Sequence, residues 1–367
     1  VSVGGDWSTA AAGSFSAAGT TVTFDAEGAG GPYSVTTNGS SFGSVTLDDA
    51  GSTYQQGDDA SIGAALTITD GTWDTQANAL TVTGGVTNAD TITGGAAGLL
   101  DFQSSYSGAG TVNIGAGGVL VQGNAVFTGG TIDFIGVAGR VLEVRGDLTF
   151  DGATVLSNIT DVGDEIQLTG GGATFTTAAL ALPSVTVNTA GTLTLGGNVD
   201  VNGTLTVSGG TLDMNDGTQR TATVEGDVDF TGGALVDPGQ LTFDGSGPQQ
   251  LTPLAQTFAA VVVADTSNRT VSFTGTSTVD DLTVGAGETL LMDGSGGNVT
   301  INVTNGSAVT NNGVFQLDDS GGALQLDSAG TFTFSGNGID FNASVLELGG
   351  VDYNGPAITL GANGWQL

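Results

Sequence analysis

Residues 192–217 read TLTLGGNVDVNGTLTVSGGTLDMNDG. Leu193 and Leu195 alternate with Thr192 and Thr194, so an extended chain sends its leucines to one face and its threonines to the other. The same alternation returns in TLTVSGG, after VDVNG. Each run stops at Gly-Gly, Asn-Gly or Asp-Gly, pairs that tolerate the positive φ of tight turns. The β-branched Val and Thr in these runs suit a pleated surface. The stretch therefore predicts very short strands, each ended almost as soon as it starts.

Longer copies extend the pattern. VTLDDAGSTYQQGDDASIGAALTITDGTWD begins at Val45, VTVNTAGTLTLGGNVDVNGTLTVSGGTLDMND at Val185 and VVVADTSNRTVSFTGTSTVDDLTVGAGETLLMD at Val261. A weaker copy starts at Val126, and Thr192 and Thr270 occupy matching places when the copies are aligned by eye. No ten-residue stretch carries a 3.6-residue period free of glycine, so no helix is expected. An antiparallel sandwich and a β-solenoid both fit short strands with Gly-rich turns. Repeats at irregular spacing favour the solenoid, in which similar sequences lie above one another. The expectation is an all-β, single-stranded β-solenoid over residues 1–367. It has opening coils in 1–43, repeat coils in 44–350 and a closing strand segment in 351–367. Coils of roughly 22–26 residues give about 14–16 of them and a rod ~70 Å long at ~4.8 Å per stacked strand.

Composition narrows the function. The 367 residues include 37 acids against four bases, a net charge of -33, and neither histidine nor cysteine. The bases are Arg140, Arg145, Arg220 and Arg269, so lysine is absent too. Such a balance argues against nucleic acid or an anionic membrane as partner, because neutralising phosphate needs Lys and Arg. It suits a solvated surface, or a medium in which salt or calcium screens carboxylates. Without cysteine there are no disulfides and no thiolate metal sites. No apolar run approaches the ~20 residues that span a bilayer. The first residue is Val1, and no leader-like segment follows it, so a secreted chain whose signal has been removed is expected.

Lack of histidine and lysine removes Ser-His-Asp and Cys-His nucleophiles, His-based metal sites and the P-loop. Carboxylate pairs alone can hydrolyse glycosides. The candidate doublets are Asp48-Asp49, Asp58-Asp59, Asp164-Glu165, Asp280-Asp281 and Asp318-Asp319. Most fall between strands and read as turn residues that cap their own backbone, so the chain is expected not to be an enzyme. Calcium takes oxygen ligands in irregular loops. Asp293, Asp244, Asp213 and Asp216 sit in loops of that kind, although none matches a known calcium loop. Thr-x-Thr units at 67–69, 81–83, 91–93, 192–194 and 204–206 would order water if they stacked as a flat lattice. Sequons cluster at Asn298, Asn302 and Asn305 and mark possible glycosylation. Trp7, Trp73 and Trp365 read as end caps or core residues.

LTVTGGVTNADTITGG, GTLTVSGGTLDMNDG and LTFDGSGPQQLTPLAQTFAAVVV resemble the repeats of large bacterial surface proteins, namely autotransporter passengers and filamentous-haemagglutinin-like adhesins. The opening VGGDWSTAAAGSFSAAGTTVTFDAEGAGGPYSV is similar to the first coil of such proteins, without the second tryptophan expected near Phe15. The resemblance implies export, a right-handed parallel β-helix and a structural or adhesive role. The strand-like ends, with Val1, Val3 and Trp7 at one and Ile358, Leu360, Trp365 and Leu367 at the other, predict end-to-end strand addition. The leading expectation is a self-assembling extracellular filament or surface coat whose partner is itself. An adhesin or glycan-binding rod is the alternative, and a polysaccharide-degrading β-helix using Asp and Glu a further one.

Overall fold

A computed structural model describes residues 1–9, 19–26, 30–136, 139–159, 163–264, 270–293, 300–303, 309–311, 314–318, 323–327, 332–334, 338–341, 345–349 and 359–360. Side chains are described as far as residue 291 and at Ile301. Among the described residues every regular element is a strand, and the strands stack in parallel as a β-solenoid. The chain divides into two compact units, Val1–Pro183 and Ser184–Leu367.

In the first unit each coil has three walls. Val86–Asn88, Thr91–Thr93 and Leu100–Phe102 form one coil. Tyr106–Gly108, Thr111–Ile114 and Val119–Val121 form the next. Ala125–Phe127, Thr131–Phe134 and Val141–Val144 form the one after. Val86 stacks on Tyr106 and Ala125 in the first wall. Ile92, Val112 and Ile132 stack in the second, and Leu100, Val119 and Leu142 in the third. All nine side chains are buried. The alternation read from the sequence thus becomes one residue in and one out on every wall. Stacking puts like above like, so each inward position adds to a continuous file. Ring centroids follow one another at 5.9, 4.8, 5.4 and 6.2 Å through Phe102, Tyr106, Phe127, Phe150 and Phe175. Each such pair adds about 0.5–1.5 kcal/mol beyond area burial.

The second unit repeats the plan. Val185, Leu205, Val228 and Leu251 line the first wall. Leu193, Leu212 and Leu235 belong to the second. Val199, Ala222, Leu241, Val261 and Leu282 belong to the third. Steps between coils vary more widely than expected. Ser107 pairs with Val126, 19 residues on, whereas Thr149 pairs with Thr176, 27 residues on. Extra residues loop out at the corners and leave the walls in register.

Some strands run round a corner without a break. Ser44–Gln56 spans 13 residues and Leu66–Asp74 nine, with a register shift after Leu47. Ser184–Leu195 and Leu205–Asp213 pair in the same way in the second unit. The corner needs glycine. Gly71 has φ 92°, and a Cβ there would lie 2.6 Å from the Asp49 carbonyl oxygen; Gly210, φ 71°, would meet the Thr189 carbonyl oxygen at 2.4 Å. Gly71→Ala should cost the left-handed backbone penalty of about 1–2 kcal/mol plus the displacement of a packed coil. Gly217, φ 96° with open space around it, gives the control, because Gly217→Ala carries the backbone penalty alone. Urea midpoints of the two variants, compared with the parent, separate contact from strain.

The by-eye repeat alignment holds for Val45 and Val185, whose strands turn the same corner. It slips for the third copy. Val261 lies on the third wall, and Thr270, paired with Thr289, lies on the first, whereas Thr192, paired with Thr211, lies on the second. All three walls obey the same alternation, so similarity alone does not register a repeat to a wall.

Candidate functional site

With the apolar files inside, the residues available to a partner are the outward ones, and their stacking sorts them by chemistry. On the first wall of the first unit the middle outward position runs Ser2, Thr23, Thr46, Thr67, Thr87, Ser107, Val126, Thr149 and Thr176. The second wall stacks Thr53, Thr72, Thr91 and Thr111. The third is mixed, with Ser61, Thr81, Asp101, Leu120, Glu143 and Gln167 in one column. The first wall thus bears a column that is mostly hydroxyl and uncharged, whereas the second also carries Asp74 and Asp133 and the third Asp101 and Glu143. Thr67-Ile68-Thr69, Thr81-Val82-Thr83 and Thr91-Ile92-Thr93 fall on the first, third and second walls respectively, so these Thr-x-Thr units do not stack as a lattice.

Many of the acids hold coil to coil. Asp6 accepts the Ser34 amide at 2.8 Å, Asp59 that of Ala79 at 2.8 Å and Asp90 that of Gly71 at 2.6 Å. Asp58 accepts the amide of Thr37 at 2.7 Å, Asp147 that of Thr174 at 2.8 Å and Asp227 that of Gln250 at 2.8 Å. A carboxylate accepting a backbone N–H makes a charge-assisted bond, stronger than a neutral one. Glutamine amides act similarly. Gln256 accepts from the Leu235 amide at 2.7 Å and donates to the Gly233 carbonyl at 3.3 Å, standing in for a peptide group.

The candidate doublets split rather than converge. Asp48 is exposed, while Asp49 is buried and accepts from the Tyr54 hydroxyl at 2.8 Å and the Ala26 amide at 3.1 Å. Burial, then the hydrogen bond to Asp49, pushes the Tyr54 hydroxyl well above the usual phenol range. Asp58 and Asp59 reach the preceding and the following coil respectively. Asp164 faces Arg140 inside the first unit, with Nη1 3.6 Å from Oδ1 and both side chains almost fully buried. Asp280 and Asp281 lie on Thr276–Val284, and Asp318 ends Val314–Asp318, while Asp319 lies outside the described residues. Tyr106 meets Asn88 at 3.2 Å, and burial pushes its hydroxyl up to about 12.

The candidate calcium residues are placed as follows. Asp213 accepts the Asn215 amide at 2.9 Å. Asp216 accepts Arg220 Nη2 at 2.7 and 2.6 Å, and that hydrogen bond holds its carboxyl below the usual range. Asp244 follows the strand Gln240–Phe243, and Asp293 ends Thr289–Asp293 in register with Asp318. Among the described residues no group of three or more His, Cys, Asp or Glu side chains converges on a metal position. At the expected assembly ends, the Val1 ammonium donates to the Thr21 carbonyl at 2.8 Å and Val3 pairs with Phe24. Trp7 packs on Phe24 and Phe42, with centroids 6.4 and 5.7 Å away. Leu360 pairs with Phe341, whereas Ile358, Trp365 and Leu367 lie outside the described residues. So do Phe15 and the sequon residues Asn298 and Asn305, while Asn302 pairs with Thr278 and Gln325. The exposed large apolar side chains among the described residues, Val1, Leu99, Val155, Val236 and Leu254, include no aromatic.

Asp200 gives a pH test. It is the middle, outward residue of Val199–Val201, and burial pushes its carboxyl above the usual range. The folded chain then holds this proton more tightly than the unfolded one. Its favourable contribution is complete below the unfolded carboxylate range and is lost as pH rises through the raised value. Asp200→Asn should match the parent in acid and exceed it at neutral pH, read from urea midpoints across a pH series.

A β-solenoid with an outward hydroxyl column and carboxylates that hold coil to coil agrees with the comparison to known proteins. The adhesin BmaC autotransporter of Brucella suis biovar 1 (strain 1330) is 29% identical over 268 residues, 66% of this chain. The chain resembles an autotransporter adhesin. It spans 8% of that relative's length. No family model matches the chain, and no solved structure matches it. The resemblance read from the Gly/Thr repeats is thus supported by a protein of the expected kind, and the parallel ladders supply the expected fold.

Proposed function

We propose that the chain is an adhesive segment of a bacterial surface protein, displayed outside the cell on a β-solenoid, and that it works by contact without catalysis. The similarity to an autotransporter adhesin over two-thirds of the chain carries this reading. The outward hydroxyl column of the first wall supports it, because it offers an uncharged strip to a host or neighbouring surface on a chain whose net charge of -33 repels anionic ones.

Beads coated with the chain should adhere to a panel of host-cell and glycan surfaces more strongly than beads coated with an unrelated acidic β-protein. The variant Thr46→Gln, Thr67→Gln, Thr87→Gln should lose roughly tenfold in bound beads, about 1.4 kcal/mol, while keeping its β circular dichroism. Equal binding by coated and control beads would remove adhesion as the function. Strong binding that the triple variant retains would move the contact off the first wall.

Self-assembly by strand addition is a second reading, supported by the parallel stacking of coils, which another copy could extend. Electron microscopy with and without calcium tests it. Filaments of constant width support it, and isolated rods in both conditions oppose it.

A further inference from the structure

We propose that the Asp237–Pro238 peptide bond is a self-cleavage site, an activity separate from adhesion. Pro238 is one of six prolines and the only one that follows an aspartate. The bond lies just after the strand Ala234–Val236 and just before Gln240–Phe243, at the corner between the second and third walls.

Three observations bear on its chemistry. First, Asp237 has φ 42°. A residue before proline is pushed towards extended conformations by the proline Cδ, and the left-handed region is costly for any residue with a Cβ. Among the described residues seven non-glycine residues have positive φ, and of these Asp237 alone is followed by proline. Strain of this kind persists only where the surroundings impose it. Second, the surroundings do impose it. On one side Val236 pairs with Asp213, and the Leu235 amide donates to Gln256 Oε1 at 2.7 Å. On the other, Gln219 Nε2 donates to the Pro238 carbonyl at 3.2 Å, and the Gln240 amide donates to the Arg220 carbonyl at 2.9 Å. A Cβ on Gly239 would lie 2.1 Å from the Arg220 carbonyl oxygen, so the chain cannot easily shift there. Third, Asp237 is exposed to water. Unlike Asp6, Asp59 or Asp227, its carboxylate holds no amide of a neighbouring coil.

The reaction needs only water. An Asp237 carboxylate oxygen attacks the carbonyl carbon of its own residue, forming a C–O bond and a five-membered cyclic anhydride. The C–N bond to Pro238 breaks, and the proline nitrogen leaves as a secondary amine after taking a proton from solvent. Water then opens the anhydride, restoring the Asp237 carboxyl and leaving a new α-carboxyl. The net change is hydrolysis of one peptide bond. Because both flanks stay hydrogen-bonded to neighbouring coils, the nicked chain remains assembled until it is denatured.

The test incubates the purified chain in mildly acidic buffer, folded and in urea, and follows intact mass after denaturation. The expected products are residues 1–237 and a fragment beginning at Pro238. The folded chain should be cut about tenfold faster than the unfolded one, the factor that 1.36 kcal/mol of released strain supplies. Pro238→Ala, which relieves the pre-proline clash, and Asp237→Ala, which removes the nucleophile, should both stay intact in the folded state, with circular dichroism confirming the fold. Cutting of the folded chain at a rate equal to or below that in urea would overturn the proposal. So would cutting at other bonds first, or undiminished cutting of the Asp237→Ala variant.

Discussion

Asp164→Ala should destabilise the chain by about 3–5 kcal/mol, the cost of stranding one member of a buried ion pair. Arg140 and Asp164 sit directly above one another, each just before a third-wall strand, and the next residues, Val141 and Glu165, are in register. The Asp164 carboxylate accepts the Arg140 amide at 2.9 Å and stands 3.6 Å from the guanidinium. Side-chain exposure is 2% for Arg140 and 0% for Asp164. Removing the carboxylate leaves a cation in a low-dielectric interior with no compensating charge. The double variant Arg140→Met, Asp164→Leu should recover most of the loss, since a packed apolar pair is often neutral relative to a buried ion pair. Urea titrations of the single and double variants check this. A double variant as unstable as the single one would mean that the pair contributes shape or specificity rather than charge compensation.

The second large effect is at Trp73. Its side chain is fully buried between Tyr54 of the coil before and Ile92 of the coil after. Its indole N–H donates to Gln56 Oε1 at 2.7 Å, and the Gln56 amide in turn donates to the carbonyls of Asp58 at 3.1 Å and Ala79 at 3.0 Å. Trp73→Ala should cost about 3–5 kcal/mol for the cavity, and more because Gln56 loses its donor. Trp73→Phe keeps most of the packing and should cost about 1–3 kcal/mol, the penalty for an unsatisfied buried acceptor. Coils interact mainly with their neighbours. Hydrogen exchange should therefore speed up first at the amides of Tyr54, Gln56 and Ile92. A uniform rise along the first unit would instead show that its coils unfold as one body.

Leu193, Leu195 and their like announce strands because a period of two has only one structural meaning, and Gly-Gly and Asn-Gly announce the turns. The resemblance to surface adhesins was legible for the same reason, since it is carried by the Gly/Thr repeats of the stacked coils. The wall assignment was not legible. Val261 and Val185 look equivalent, yet they line different walls. The number of residues looped out at each corner fixes the phase, and alternation carries no record of it.

The acids divide along the same line. That Asp58, Asp90 and Asp227 sit in turns follows from their sequence neighbours. That each grips an amide some twenty residues away depends on coil spacing. The pairing of Arg140 with Asp164 was not legible, because the two are 24 residues apart and Asp164 read as half of an Asp-Glu turn doublet. Sequence by itself determined the strands, the turns, the acidic composition and the Gly/Thr repeat class, all of which depend on neighbours within a few residues. Tertiary structure alone decided which hydroxyls share a column, which carboxylates stitch coils and which charges are buried. Those facts depend on the residue one coil above, and the register of that coil is set by the three-dimensional path of the chain.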